Sequence, residues 1–478
     1  MRMSEPKRLH PITAVLNSLR ILKELIIPFF VFIVFGSRGT GLNFLPFIGG
    51  GVMLVVILVS GILTWLRYTY RIEEGELRIE YGLFVKKKRY IPIERIQSLD
   101  LSEGIFHRPF GLVKVKIETA GTSGLDPEAV LTAISKNEAA SIQEILLNTK
   151  KMDTNDPDEH TAEIKEEILY KISAKELVML ASTSGGVGVV ISAIVAFLSQ
   201  FDDIIPYESV FHELETFVSN GIIFVSIIVL IGFLLAWFIA IIGIMFKYAD
   251  FTLRKVDNDI IITRGLLEKR QITIPLNRVQ GIRISENLIR QPLGYASVYI
   301  ESAGGSAKNE DSSSVNILPI IKKDRIRGIL EGNIEEYFLV DEKSPPPRRA
   351  LKRYILRGWI FIVPILIVLV LIFKEWGLLS LILFPLSALW SYLKYKDAGW
   401  SLEGNQLTLT YRTIIKHTVY MKKNKIQSLE MKNSYFQRRQ DLATINATVM
   451  SGTGGTGGTV VDLENQDVVS IYSWYSRD

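Results

Sequence analysis

The sequence contains no cysteine and only five histidines among its 478 residues. The absence of thiols excludes disulfides, thiolate catalysis, iron–sulfur clusters and zinc sites with cysteine ligands. The sequence also lacks a P-loop, an H-E-x-x-H zinc motif and a G-x-S-x-G nucleophile motif. We therefore predict no catalytic residues, no cofactor and no metal, and we do not expect an enzyme. The net charge of +5 is mild, and no nucleic-acid partner is expected.

Long apolar segments are the main feature that the sequence does contain. A helix that crosses a bilayer needs about 20 mostly apolar residues, and six segments meet this requirement, although Lys23 and Glu24 interrupt the first. They are Leu19–Phe35, Leu45–Leu66, Glu176–Leu198, Gly221–Phe246, Ile355–Phe373 and Trp376–Leu393. Because they follow one another in pairs, we predict six transmembrane helices arranged as three hairpins.

Lysine and arginine are distributed unevenly on the two sides of these segments. The three hairpin loops, Gly36–Phe44, Ser199–Asn220 and Lys374–Glu375, contain only Arg38 and Lys374. All other basic residues lie on the opposite side or at its interface. Since basic residues concentrate on the cytoplasmic side, we expect both termini and the three polar regions to be cytoplasmic.

An internal repeat is centred on a glutamine. The segments IERIQSLDL, LNRVQGIRI and KNKIQSLEM align without gaps, and a basic residue precedes each glutamine by two positions. The repeat-equivalent polar residues are Arg95 and Gln97, Arg278 and Gln280, and Lys425 and Gln427. A repeat of this kind predicts three copies of one structural unit.

The residues before each glutamine predict strands. Twenty-two positions earlier stands Gly75, Asn258 or Asn405, the residue types that most readily take the positive φ of a tight hairpin turn. Apolar residues alternate on both sides of these turns, as in half-buried strands. Helical segments close the first two copies, at Lys136–Asn148 and Lys322–Phe338, whereas the third copy has only a short run before Asp478.

We therefore predict an α+β membrane protein in which each transmembrane hairpin precedes an antiparallel β-barrel of about seven strands. A helix closes each barrel and is expected to be short or absent in the third. The predicted hairpin regions are 1–67, 151–247 with a linker, and 344–395 with a linker; the predicted barrel domains are 68–150, 248–343 and 396–478.

These motifs resemble a known family. IPIERIQSLDL with HRPFGL in the first copy, and IPLNRVQGIRI with RQPLG in the second, placed after hydrophobic pairs, look like the bacterial PH-like domain family of membrane proteins. The resemblance covers almost the whole chain and is closest to members with three such domains. The third copy departs from it, because Lys422 replaces the motif proline and Asp441 replaces the glycine.

The resemblance implies PH-like barrels in a bacterial plasma membrane protein without enzymatic activity. It also implies a smaller membrane protein with a single PH-like unit as partner, and a role in resistance to membrane-active peptides such as bacteriocins. A PH-like fold does not by itself imply phosphoinositide binding, because function belongs to sites and not to folds.

Basic clusters near the barrels are candidate lipid-facing residues. They are Lys86, Lys87, Lys88 and Arg89 in the first copy, with Lys269 and Arg270 at the equivalent place in the second. A cation near an anionic membrane surface gains about 1 kcal/mol. The alternative is a solvated strand edge, where lysine discourages pairing with other strands.

The repeated arginine or lysine with its glutamine also has two explanations. The pair could bind a ligand, or it could hold the barrel and its hairpin together, and we favour the second because buried polar groups are normally satisfied within the structure.

Three functions are compatible with the sequence to different degrees. The favoured one is a non-enzymatic scaffold, or a subunit of a membrane complex, that protects against membrane-active peptides. The alternative is a component of a lipid or peptide transporter, although no acidic residue or lysine lies clearly mid-span in the last four helices, where coupled transporters usually place one. A membrane enzyme is the least supported. The sequence leaves open whether several copies assemble.

Overall fold

The computed structural model describes most of the chain. The described residues are 5–36, 45–119, 129–152, 166–185, 188, 191–192, 222–302, 314–334, 337–340, 342–374, 376–451 and 455–476. They divide into two compact units, of which the first combines Met1–Lys165 with Glu268–Pro275 and Gly304–Asn309. The second unit consists of Glu166–Leu267, Leu276–Ala303 and Glu310–Asp478.

The strands of the first repeat lie in two antiparallel sheets: its first four strands form one sheet, and its next three belong to a larger one. Its elements are β1 (Lys7–Arg8), α1 (Ile12–Gly36), α2 (Leu45–Arg67), β2 (Thr69–Glu73), β3 (Glu76–Tyr81), β4 (Lys87–Pro92), β5 (Ile96–Glu103), β6 (Leu112–Thr119), β7 (Ala129–Ser135) and α3 (Lys136–Met152). Alternate side chains such as Leu77, Ile79 and Ile117 fill the core between the sheets. This period-two burial is the pattern that the sequence predicted.

The second repeat has the same order of elements. They are β8 (Glu166–Lys171), α4 (Ala174–Thr183), α5 (Ile222–Tyr248), β9 (Thr252–Val256), β10 (Asp259–Arg264), β11 (Lys269–Pro275), β12 (Val279–Glu286), β13 (Tyr295–Ser302), β14 (Ser314–Lys322) and α6 (Lys323–Leu330). A capping box begins α4, in which the Glu176 amide donates to Ser173 Oγ and the Ser173 amide donates to Glu176 Oε2.

The third repeat also ends in a helix. Its elements are α7 (Ala350–Phe373), a 3-10 helix (Trp376–Ile382), α8 (Leu383–Asp397), β15 (Gly399–Glu403), β16 (Gln406–Arg412), β17 (Lys416–Lys422), β18 (Ile426–Lys432), α9 (Tyr435–Arg438), β19 (Leu442–Val449), β20 (Thr456–Glu464) and α10 (Asn465–Tyr475). We expected the closing helix to be short or absent here. The helix is present, which corrects the expectation that it could be absent: α10 has 11 residues, compared with 17 in α3 and 8 in α6. Val468 and Ile471 anchor α10 in the core.

The predicted hairpin turns lie where the glutamine spacing placed them, between β2 and β3, β9 and β10, and β15 and β16. In the first turn Gly75 does take a positive φ, of 75°. In the other two, the left-handed residue stands one position before the predicted asparagine, at Asp257 (φ 50°) and Gly404 (φ 54°).

Each first sheet begins before its hairpin. In the first repeat Lys7 and Arg8 pair with Tyr70 and Thr69 of β2, and in the second β8 pairs with β9. In the third, an isolated bridge joins Ser344 to Trp400. In the first two repeats, the predicted hairpin segment therefore separates two strands that are neighbours in a sheet, which the predicted order of hairpin then barrel did not anticipate.

Four helices in the described part of the chain are long and apolar enough to cross a membrane. They contain Ile48–Arg67, Val229–Tyr248, Ala350–Phe373 and Gly377–Asp397. α1 has 25 residues but is not among these four. In the predicted third span, Glu176–Leu198, α4 ends at Thr183, and 10 of the 23 residues lie outside the described part of the chain. The structure thus supports a multi-helix membrane protein, and the full set of six helices remains a prediction.

Candidate functional site: the strand junctions between repeats

Two junctions join successive repeats by their strand edges. At junction 1, β5 pairs with β11, which lies in the same compact unit as the first repeat. At junction 2, β12 pairs with β17. In both cases, the first strand of one repeat's second sheet pairs with a strand from the next repeat's first sheet, so backbone hydrogen bonds hold the repeats together.

The two junctions share one register. Glu103 lies opposite Lys269 at junction 1, and Glu286 lies opposite Lys416 at junction 2. Both glutamates stand six residues after their repeat's glutamine, and both lysines stand eleven residues before theirs. Because a shift of one residue would turn every side chain to the other face, this agreement indicates one pairing geometry used twice.

A sheltered ion pair supports junction 1. Arg270 donates to Asp100 through Nε at 2.9 and 3.0 Å and through Nη2 at 2.5 Å. The side chain of Arg270 is only 19% exposed and that of Asp100 only 10%. A two-pronged arginine–carboxylate contact is stronger and more directional than a single hydrogen bond, so it favours this register.

Junction 2 carries a different set of polar contacts. Lys416 approaches Glu286 at 3.1 Å, and Lys323 approaches the same carboxylate at 2.5 Å. Ser285 Oγ lies 2.9 Å from His417 Nδ1. Burial lowers the pKa of His417 to about 4, with smaller effects in the same direction from Arg283 and Arg412, so this histidine is neutral in the fold.

A buried acid lies beside junction 2. Glu301 is fully buried and accepts from Arg283 Nε at 2.9 Å and from Ser314 Oγ at 3.1 Å. Burial raises the pKa of Glu301, and the charge of Arg283 opposes this shift. The guanidinium of Arg283 also lies 4.7 Å from the ring centroid of Tyr299. These contacts stiffen the strands that form the junction.

The third hairpin is attached to its sheet by arginines on one face of α7. Arg353 Nε lies 3.0 Å from Asp462 Oδ1, and Arg357 Nη2 lies 2.7 Å from Asp462 Oδ2. Asp462 is fully buried, and its Oδ1 also accepts from Gln437 Nε2 at 2.9 Å. Sequence reasoning used Arg353 and Arg357 only as indicators of sidedness and missed Asp462 altogether.

The predicted lipid-facing residues of the first repeat lie at the start of β4. Lys86 and Lys88 both pair with Glu80, at 2.6 and 3.3 Å, and the guanidinium of Arg89 lies 6.0 Å from the ring centroid of Tyr81. Lys87 is exposed. In the second repeat, Lys269 and Arg270 instead belong to junction 1. A lipid contact for these six residues stays a prediction.

The repeated basic residues of the glutamine motif have different surroundings. Arg95 is exposed. Burial lowers the pKa of Arg278, against the opposing charge of Asp259. Lys425 Nζ lies 3.3 Å from the carbonyl oxygen of Asn277 in the preceding repeat.

The glutamines differ too. Gln280 Nε2 donates to the carbonyl oxygen of Arg278 at 3.0 Å, whereas Gln427 is exposed and the side chain of Gln97 lies outside the described residues. The repeat-equivalent residues therefore have different surroundings in the part of the chain that the structure describes, and their role stays a prediction.

Two clefts open in the second compact unit. One, of about 520 Å³, lies beside junction 2 and is lined by Glu286, Lys323, Lys343 and Thr418 among others. Burial lowers the pKa of Lys343 to about 8, and the nearby positive charge of Lys416 lowers it further to a smaller extent. The second cleft, of about 800 Å³, lies between α7, α8 and the third barrel, and its lining includes the apolar Phe361 and Leu386 and the basic Arg357 and Lys394.

Within the described residues, no group of three or more histidine or acidic side chains is arranged to hold a metal ion. The acidic groups at the junctions, Asp100 and Glu286, instead form ion pairs with basic side chains.

Comparison with known proteins shows which domain family the three repeats match. A model of the bacterial PH domain matches residues 25–150, 193–334 and 358–478. The chain belongs to the bacterial PH domain family. Each PH-domain match includes part of a hairpin as well as the barrel that follows it, and the third match covers the copy with the weakest motif.

Two relatives from Bacillus subtilis (strain 168) are similar to this PH-domain chain. The transmembrane protein YdbT is 41% identical over 490 aligned residues, which cover 100% of this chain and 99% of the relative. The transmembrane protein YdbS is 36% identical over 55 residues, or 12% of this chain and 35% of the relative. No solved structure gives a significant match.

Proposed function

We propose that this protein is a non-enzymatic scaffold, or a subunit of a membrane complex, whose PH-like domains assemble through their strand edges. The observation that carries this proposal is the repeated register of the two junctions. Asp100, Glu286 and His417 are of residue types that can act in catalysis, but here they form contacts between repeats. An assembly role uses these contacts directly, whereas a catalytic role would need them to be available to a substrate.

The membrane arrangement is part of the proposal. Three hairpins contribute six helices, and both termini and all PH-like domains lie in the bacterial cytoplasm, as the basic residues of the sequence indicate. Because the chain has no cysteine, single cysteines placed in Ser199–Asn220 or at exposed Lys87 can be labelled separately with a membrane-impermeant maleimide on intact cells. Labelling of the loop alone is expected. Labelling of Lys87→Cys on intact cells would contradict the arrangement.

The proposed complex includes membrane lipid and a smaller membrane protein with one PH-like domain. The weak similarity to YdbS supports the existence of such smaller relatives. Gentle affinity purification of the full chain from native membranes, followed by mass spectrometry, tests this. A small PH-like protein in fixed proportion is the expected result, and purification of the chain alone would contradict it.

The biological role that we propose is protection against membrane-active antimicrobial peptides such as bacteriocins. Deletion of the gene should increase sensitivity to such peptides, and the intact gene supplied on a plasmid should restore resistance. Unchanged sensitivity of the deletion strain to a panel of these peptides would contradict this role, while leaving the structural scaffold proposal to the purification experiment.

A component of a lipid or peptide transporter is the second candidate. The cleft of about 800 Å³ between α7, α8 and the third barrel supports it, because apolar side chains there meet Arg357 and Lys394, a combination that suits an acyl chain with an anionic headgroup. Transfer of fluorescent lipid across proteoliposomes that contain the purified chain would favour this candidate. Transfer no faster than in protein-free vesicles would count against it.

A further inference from the structure

The two junctions leave one complementary edge at each end of the series of repeats. Among the strands that the structure describes, β4 pairs only with β3, and β18 pairs only with β19. β4 is the counterpart of β11 and β17, which accept a neighbouring repeat. β18 is the counterpart of β5 and β12, which supply the other half of that pairing. The chain therefore carries both halves of a third junction.

Exposure distinguishes these edges from the paired ones. Tyr90 on β4 is 53% exposed, whereas its counterparts Thr273 and Tyr420 are 8% and 4% exposed. After Ile426, every residue of β18 is exposed or half-buried, whereas most of its counterpart β12 is buried. A strand edge with unpaired backbone groups is a template for pairing with another chain.

We propose that β18 of one copy pairs with β4 of a second copy, in the register of the two internal junctions. This rests on the scaffold function proposed above and names its partner as a second copy of the same chain. The pairing is head to tail, so the same contact can repeat from copy to copy. The argument for a second copy is that each chain presents both required edges.

The side chains at the proposed contact match those at junction 1. In the shared register, Glu430 occupies the position of Asp100, and Lys87 occupies that of Arg270. Glu430 would also lie directly opposite Arg89. Leu429 and Met431 stand where Leu99 and Leu101 stand in the first repeat, so the apolar face of the strand is kept.

One residue opposes the contact and sets its strength. Lys432 replaces Ser102 and Ser285 of the internal junctions and would lie opposite Lys87. Like charges directly opposite in a strand pair are destabilising, and edge lysines limit strand addition in other proteins. Within the single chain, Lys432 forms an ion pair with Glu430 at 2.6 Å. The contact between copies is therefore weaker than the internal junctions.

Disulfide trapping tests the register, because the natural chain has no cysteine to interfere. Full-length Glu430→Cys and Arg89→Cys chains, each with a different tag, are co-expressed and oxidised in isolated membranes. A disulfide-linked dimer that carries both tags is expected. Lys88→Cys replaces Arg89→Cys in the matched control, where the side chain points to the opposite face and no dimer should form.

An internal pair calibrates the reaction. Ser285→Cys with His417→Cys in one chain places two cysteines opposite each other at junction 2 and should close within the chain. If this pair closes and the Glu430–Arg89 pair does not, the proposed contact between copies is wrong. Equal trapping of the in-register and out-of-register pairs would also overturn it, since that result indicates random collision.

Two further measurements identify the partner that pairs with β18 and test how much Lys432 weakens this pairing. A photo-reactive residue in place of Met431 should capture a peptide of β4, whereas capture of a smaller PH-like protein would overturn the second copy as partner but keep the scaffold function. Lys432→Ser should increase trapping of the Glu430–Arg89 pair by about two- to fivefold, the factor expected when opposed like charges are removed. Unchanged trapping in that variant would contradict the proposed register.

Discussion

Asp462 on β20 forms ion pairs with both Arg353 and Arg357 of α7, so one buried carboxylate attaches the third hairpin to its barrel. Neither guanidinium is buried as deeply as the acid, whose side chain has no exposed surface. Arg353, Arg357 and Gln437 together supply the hydrogen-bond donors that this buried carboxylate requires.

Removal of this carboxylate should be costly. In Asp462→Ala, Arg353 and Gln437 lose their shared acceptor in a sheltered site, so we expect the free energy of unfolding to fall by about 3–5 kcal/mol. Thermal unfolding of the purified protein in detergent measures the change. The matched control is Glu464→Ala on the same strand, whose contact with Arg349 is largely exposed and should cost less than about 1 kcal/mol. Equal losses in the two variants would contradict this assignment.

The ion pair of junction 1 should behave as one unit. Asp100→Asn removes the charge that Arg270 meets, and we expect a loss of about 3 kcal/mol together with faster amide hydrogen exchange in β5 and β11. The swap of Asp100→Arg with Arg270→Asp should recover part of this loss. Lys7→Gln, which breaks the exposed pair with Glu138, is the control and should leave exchange at the junction unchanged.

Junction 2 should weaken as the pH falls. The folded state keeps His417 neutral with a pKa of about 4, whereas the unfolded chain binds a proton near pH 6.5. Stability present above pH 6.5 is therefore lost as the pH falls from 6.5 towards 4. We expect a loss of about 1 kcal/mol at pH 5, since solvent screens this half-buried ring.

A glutamine variant isolates this histidine. Glu301 acts in the opposite direction, because its raised pKa lets the folded state bind a proton first. His417→Gln should make the stability less sensitive to pH between 7 and 5, while it retains a hydrogen-bonding partner for Ser285. An identical pH profile in the variant would show that another group controls this range.

The basic start of β4 should attract anionic lipid if it faces the bilayer. Lys86→Gln with Lys87→Gln should reduce the enrichment of phosphatidylglycerol around the protein in mixed-lipid nanodiscs, by roughly the effect of 2 kcal/mol of lost attraction. The control is Lys322→Gln with Arg325→Gln, which removes two exposed charges near α6. Equal enrichment in both variants would favour the solvated-edge alternative.

The repeat, the strand pattern and the family could be predicted because they depend on local signals. Alternation around Leu77 and Leu407 predicts strands, and the spacing to each glutamine places the turns. The junctions depend on contacts between residues far apart in sequence, such as Asp100 and Arg270, and no local pattern specifies which edges meet. A signal did exist, since Glu103 and Glu286 share one offset from the glutamine, and Lys269 and Lys416 share another.

The inserted hairpins were missed for a related reason. β1 has only two residues, Lys7 and Arg8, too few for an alternating pattern to be detectable. Asp462 was missed because an isolated acid in a strand gives no indication of its partners, which lie on a helix more than a hundred residues earlier.

The position of β8 before its hairpin and of β9 after it has a consequence for biosynthesis. A ribosome makes β8 first, then α4, the residues up to 221 and the apolar helix α5, and only afterwards the strand with which β8 pairs. The sheet therefore cannot be completed before the whole segment between β8 and β9 has been synthesised. In the first two repeats, the apolar segment is made before the barrel can close, and a chain in which that segment is misplaced leaves its first strand without a partner.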